Sequence, residues 1–128
     1  MKKSNENKKF IVVAEDDASY AKVYRMKLAA EGYEVVVAGN GQEVINICRE
    51  RKPDLILMDL IMPIKDGFET LKELRSLPGC KNVKVIVLSN LGQEDDVARA
   101  SSLGALAYYI KSDLTVKDMV EKVALHLQ

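Results

Sequence analysis

Phe10-Ile-Val-Val-Ala-Glu-Asp16 is an unbroken apolar run that stops on two carboxylates. A half-exposed strand alternates apolar and polar residues. Five apolar residues in a row fit a strand buried on both faces, as in a parallel sheet. The pattern recurs: Leu55-Ile-Leu-Met58 runs into Asp59, Lys84-Val-Ile-Val-Leu88 into Ser89, and Ala107-Tyr-Tyr-Ile110 into Lys111. With a fifth run at 34–38, strands are predicted at 10–14, 34–38, 55–59, 84–88 and 107–110. Helical patterns fill 18–30, 42–51, 67–76, 94–103 and 115–126. Strand starts lie 21–29 residues apart, room for a crossover helix each time. Five β-then-α units predict an α/β fold: one doubly wound parallel sheet with helices on both faces.

Boundary residues agree. Gly32 and Gly104 follow helical patterns where a left-handed cap is wanted. Pro53 closes the second helical region. Thr115 with Asp118 three residues on reads as a capping box with Asp in place of Glu. Val116, Met119, Val120, Val123 and Leu127 form one apolar stripe, read as core packing. Glu94, Asp95 and Asp96 suit the positive end of a helix dipole. Asp17 reads as a cap for the first helix, and His126 as a surface residue without a partner.

The chain has 128 residues, 48% of them hydrophobic and 30% charged, which fits one soluble globular domain. Two segments are expected, a polar N-terminal tail at 1–9 and a folded domain at 10–128. Net charge is zero. The tail holds Lys2, Lys3, Lys8, Lys9 and Glu6, leaving 15 basic against 18 acidic residues in the body. That body has no basic surplus with which to grip nucleic-acid phosphates, so direct nucleic-acid binding is not expected. No run approaches the roughly 20 apolar residues of a membrane span, and no secretory signal opens the chain. Cys48 and Cys80 lack metal-ligand spacing and are read as free thiols. A cytoplasmic setting is the expectation.

In an open parallel sheet, ligands gather at the carboxyl ends of the strands. There this sequence places Glu15, Asp16, Asp59, Ser89 and Lys111. Two carboxylates about 4 Å apart repel by about 4 kcal/mol at an effective dielectric of about 20. Three in one cleft would consume much of a domain's stability of about 5–15 kcal/mol. A bound cation removes the cost. All-oxygen ligands without His or Cys point to Mg²⁺, with Mn²⁺ as the other possibility. Asp59, ending the central strand, can attack phosphorus and carry the group as an acyl phosphate. Lys111 can neutralise the equatorial oxygens, and Ser89 can donate to one. No phosphate-binding Gly-x-x-x-x-Gly-Lys-Ser/Thr loop is present.

These parts resemble the receiver domain of two-component response regulators over residues 9–127. The carrying motifs are Val12-Val-Ala-Glu-Asp-Asp17, Leu57-Met-Asp-Leu-Ile-Met-Pro63 with Asp66-Gly67, Val85-Ile-Val-Leu-Ser89 and Tyr108-Tyr-Ile-Lys111. The resemblance implies a flavodoxin-like sheet of order 2-1-3-4-5. It implies Asp59 as phosphoacceptor, and Asp16, Asp59 and, through water, Glu15 around the metal, with the Ile61 carbonyl lending a ligand. Ser89 would be the switch hydroxyl, Tyr108 the aromatic switch, and Lys111 the phosphoryl-oxygen partner. The implied donor is a phosphohistidine on a sensor kinase or histidine phosphotransfer protein. An unidentified downstream protein would read the face made by the fourth helix, fifth strand and fifth helix. The receiver would be no enzyme, promoting only its own phosphorylation and dephosphorylation. With no effector domain after the last helix, a stand-alone receiver or one cut from a longer chain is expected.

Three departures from the family pattern stand out. Ser112 follows Lys111 where proline is usual. A cis bond before a non-proline residue costs about 2.5–4 kcal/mol, so the Lys111–Ser112 peptide is predicted trans, or cis with strain. Asn90 follows Ser89 where a small residue is usual, and a gating role at Asp59 is the expectation. Ile64-Lys65 replaces a frequent small pair and is expected to alter only the loop surface. The alternatives are a phosphorylation-independent binding module and an aspartate-dependent phosphatase. The complete residue set disfavours the first. The second commonly needs an Asp two residues after the nucleophile, where this chain has Ile61.

Overall fold

The computed structural model describes residues 8–128. Most of the N-terminal tail therefore lies outside the described residues. Five strands alternate with five helices: β1 Phe10–Ala14, α1 Ala18–Ala30, β2 Glu34–Ala38, α2 Gly41–Glu50, β3 Leu55–Met58, α3 Gly67–Ser76, β4 Lys84–Ser89, α4 Glu94–Ser102, β5 Ala107–Ile110 and α5 Val116–Leu127. A single 3-10 turn, Lys111–Asp113, follows β5. All strand pairs are parallel, in the order β2-β1-β3-β4-β5. This is the doubly wound sheet expected from the sequence.

Period-two alternation divides the core into two layers. Val12, Ile56, Val85 and Val87 face α2, α3 and α4, packing on Val44, Ile45, Leu71, Leu74 and Ala100. Ile11, Val13, Leu57, Ile86 and Leu88 face α1 and α5, packing on Tyr24, Leu28, Met119 and Val123. The α5 stripe is thus core, as its spacing predicts. Gly32 and Gly104 both take left-handed backbone at the ends of α1 and α4. Asp17 caps α1 by accepting from Ser19 and Tyr20 N–H, and Thr115 with Asp118 closes a capping box on α5.

Two readings are corrected. His126 has a partner: its Nε2 meets Tyr109 Oη at 2.9 Å, linking α5 to β5. The sequence signal is weak, because the pair comes together only once α5 packs back across the sheet. Ile64 is more than a surface change. Its φ of 70° puts a β-branched, largely exposed residue in left-handed backbone, a costly conformation.

Candidate functional site

β1 and β3 are neighbours, so the residues that follow them emerge side by side. The backbone ladder continues one step past each strand. Asp59 N–H donates to Ala14 C=O at 3.0 Å, and Glu15 N–H to Ala38 C=O at 2.9 Å. The two carboxylates are thereby fixed by main chain before any side-chain contact forms. β3 ends at Met58, one residue earlier than the sequence indicates, so Asp59 is the first residue free of the strand. Its Oδ1 accepts from Leu60 N–H at 2.7 Å and from Ile61 N–H at 3.2 Å. Gly67 permits this turn. A Cβ there would lie 2.7 Å from the Asp59 carbonyl oxygen and from Leu60 Cα.

Glu15, Asp16 and Asp59 bring carboxylate oxygens within 4.8 Å of one another. Glu15 and Asp59 are buried and Asp16 is exposed. Lys111 reaches in from the end of β5. Its ammonium donates to Glu15 Oε1 at 2.6 Å and to Asp59 Oδ2 at 2.7 Å. Desolvation pulls the Lys111 pKa down, but the Asp59 and Glu15 hydrogen bonds win and hold it above its ordinary value. Burial raises the Glu15 carboxyl, against Lys111 and the Asp17 N–H, which both favour the ionised form. With its carboxylates ionised, the cluster is left with a net charge of −2, since one ammonium faces three of them. That excess is what a divalent cation would cancel.

Tyr20 is a contact the sequence reading missed. Its ring lies 4.5 Å from the Lys111 ammonium, a cation–π contact on the open side. Tyr20 stands four residues after Asp16, in the first turn of α1, so the spacing could have placed it at the site.

Ser89 is the last residue of β4 and fully buried, its Oγ accepting from Leu91 N–H at 3.3 Å. Tyr108 packs against the α2–α4 layer, and its hydroxyl donates to the Leu91 carbonyl. The loop after β4 thus holds both residues read as switches. Ile61 is exposed beside Asp59.

Comparison with known proteins identifies the family. The family model described as the response regulator receiver domain matches residues 11–124. The chain belongs to the response regulator receiver domains. It is 35% identical over 116 residues to the transcriptional regulatory protein PdtaR of Mycobacterium tuberculosis, covering 90% of this chain and 55% of that protein. The chain thus spans about half the length of that relative. A receiver domain protein (CheY-like) from Methanospirillum hungatei superposes with a TM-score of 0.87 at 26% identity, covering 94% of each chain. The Mn²⁺-bound form of response regulator Rcp1 superposes with a TM-score of 0.77 at 28% identity, covering 90% of this chain and 88% of that one. Among the described residues of this receiver, no helix is long and apolar enough to cross a membrane.

Proposed function

We propose that this receiver is a cytoplasmic, Mg²⁺-dependent phosphoacceptor switch, with Asp59 receiving a phosphoryl group from a phosphohistidine on a sensor kinase or phosphotransfer protein. One observation carries the reading. Three carboxylates from two strand ends converge within 4.8 Å, and a single buried ammonium bridges two of them. Such crowding is costly for a fold to keep and is what a cation-assisted phosphoryl site requires.

In the transfer, an Asp59 oxygen forms a bond to phosphorus as the donor's P–N bond breaks, and the imidazole keeps the electron pair. Lys111 already sits 2.7 Å from Asp59 Oδ2, so its ammonium can pass from the carboxylate to a phosphoryl oxygen with little movement. Leu60 and Ile61 N–H groups steady Oδ1. Ser89, at the end of the adjacent strand, can turn its hydroxyl to another phosphoryl oxygen. Glu15, Asp16 and Asp59, with the Ile61 carbonyl, would hold Mg²⁺ or Mn²⁺. The bound ion would supply positive charge against the equatorial oxygens. The all-oxygen donor set fits either ion.

The signal would leave through Ser89 and Tyr108. A charge-assisted hydrogen bond is worth about 1.5–3 kcal/mol. Driving a population from 1:99 to 99:1 takes about 5.5 kcal/mol. A partner on the α4–β5–α5 face would therefore complete the shift. Tyr108, hydrogen-bonded to the loop after β4, ties that face to the site.

Mass spectrometry after treatment with acetyl phosphate and Mg²⁺ tests the reading. One phosphoryl mass should appear in the wild type and be absent from Asp59→Asn. No added mass in the wild type would favour the phosphorylation-independent binding module instead.

A further inference from the structure

Two departures of this chain from the family pattern meet in one hydrogen bond. Lys111 and Ser112 are joined by a trans peptide, with no cis bond among the described residues. Proline at 112 would have no N–H, whereas Ser112 has one. That N–H donates to Asn90 Oδ1 at 2.9 Å. The bond joins the loop after β4 to the loop after β5. Neither residue belongs to the site described above.

Its position matters. The β4–β5 ladder pairs Ser89 with Ile110 and ends there. Beyond it the Lys111 backbone is held by one 3-10 turn, closed by Leu114 N–H on the Lys111 carbonyl at 3.3 Å. The Asn90 bond is the tie at that point between the Lys111 segment and the neighbouring strand's loop. That loop also positions Ser89 and Tyr108, both through Leu91.

We propose that Asn90 is a positioning residue: through the Ser112 N–H it fixes the backbone that aims Lys111 at Asp59, and it couples that aim to the Ser89 loop. The inference rests on the phosphoacceptor reading. When Ser89 shifts toward a phosphoryl oxygen, Asn90, next in the chain, shifts with it, and Ser112 follows through the bond. The hydroxyl and the ammonium that share the phosphoryl oxygens then adjust together. With Oδ1 committed to Ser112, Asn90 acts as a tether between the two loops.

The test uses the full chain with Asn90→Leu, which removes the acceptor at similar size, and Asn90→Asp, which keeps an oxygen in place. Amide exchange at Ser112 should quicken about fivefold to tenfold in Asn90→Leu, as for loss of one neutral hydrogen bond, and stay near wild type in Asn90→Asp. Phosphoryl uptake from acetyl phosphate with Mg²⁺ should slow by a similar factor in Asn90→Leu. Ser112→Pro removes the donor, so adding Asn90→Leu to it should slow uptake no further. Unchanged Ser112 exchange in Asn90→Leu overturns the proposal. So does an Asn90→Leu effect on uptake that is equally large in the Ser112→Pro background. Should Ser112→Pro fail to fold, the Leu and Asp variants decide alone. If the wild type accepts no phosphoryl group, the phosphoacceptor reading fails. Exchange at Ser112 still reports the tether in that case, and unchanged exchange overturns it.

Discussion

The two edges of the sheet bury charge in opposite ways. At the carboxyl edge, Glu15 and Asp59 share one ammonium, and Asp16 adds a third negative group. At the amino edge, Arg75 of α3 has no carboxylate partner among the described residues. Its guanidinium donates to five carbonyls instead: Cys80, Lys81 and Val83 before β4, and Leu103 and Gly104 before β5. Burial lowers the Arg75 pKa from its ordinary value, yet a guanidinium stays charged and its donor fork matches spread-out acceptors. One edge keeps like charges close, which a bound cation would offset. The other satisfies a cation with neutral dipoles and needs nothing. The first crowds like charges at a cost in stability, and the second fixes two loops.

Removing the shared cation breaks this contrast most severely. Lys111→Met leaves two buried carboxylates facing each other without it. The loss in urea-unfolding free energy should be about 3 kcal/mol or more in metal-free buffer. Mg²⁺ should return part of it, since a ligand at 100 times its Kd adds about 2.7 kcal/mol. Acetyl phosphate uptake should nearly vanish. An Mg²⁺-insensitive Lys111→Met would show that the cluster is not an ion site.

Arg75→Leu should come next, costing about 2–3 kcal/mol, because hydrogen bonds to charged groups are worth more than neutral ones but do not add. Arg75→Lys should recover little, since a point ammonium cannot span five acceptors. Uptake per folded molecule should not change in either variant. A fall in uptake matching the fall in stability would erase the distinction between the edges.

The elements of this fold were legible because parallel strands advertise themselves as unbroken apolar runs, and Glu15, Asp59, Ser89 and Lys111 each stand next to or at the end of one. That the structure brings Glu15, Asp16, Asp59 and Lys111 together follows from strand order, which the family resemblance supplied and periodicity alone could not. Illegible were contacts set by loop paths. Arg75 looks like any helix-surface arginine until two loops wrap it. Gly104 reads as a helix cap, but a Cβ there would also lie 2.6 Å from Arg75 Nε. Asn90 and Ser112 look like two unrelated substitutions, 22 residues apart, until one accepts from the other.

The carboxyl edge also carries backbone strain. Ile64, in the loop between Asp59 and α3, has φ at 70° with 80% of its surface exposed, so packing does little to offset the left-handed backbone. Ile64→Gly should raise stability by about 0.5–1 kcal/mol, the relief of left-handed strain less the extra entropy glycine loses on folding. Thermal melts would show the gain. A loss would mean that the exposed side chain makes a contribution the strain argument ignores.

The smallest effect separates a capping carboxylate from the clustered ones on that same edge. Asp118, half-buried on the first turn of α5, accepts from Thr115 N–H at 3.0 Å while its own N–H donates to Thr115 Oγ1 at 3.0 Å. The Thr115 bonds, backbone first, hold its carboxyl below the ordinary value, with Lys122 and Lys117 adding to them. A lowered folded pKa means that the unfolded chain binds the proton more tightly. The cap's contribution is therefore whole above the unfolded value of about 3.9 and drains as pH falls through the folded one. Between about pH 5 and pH 3, the wild type should lose more stability than Asp118→Asn, and the two curves should converge. Mg²⁺ should leave that difference unchanged, because Asp118 helps to cap a helix and takes no part in the cluster. Parallel curves would remove Asp118 from the cap, and an Mg²⁺-dependent difference would draw it into the site.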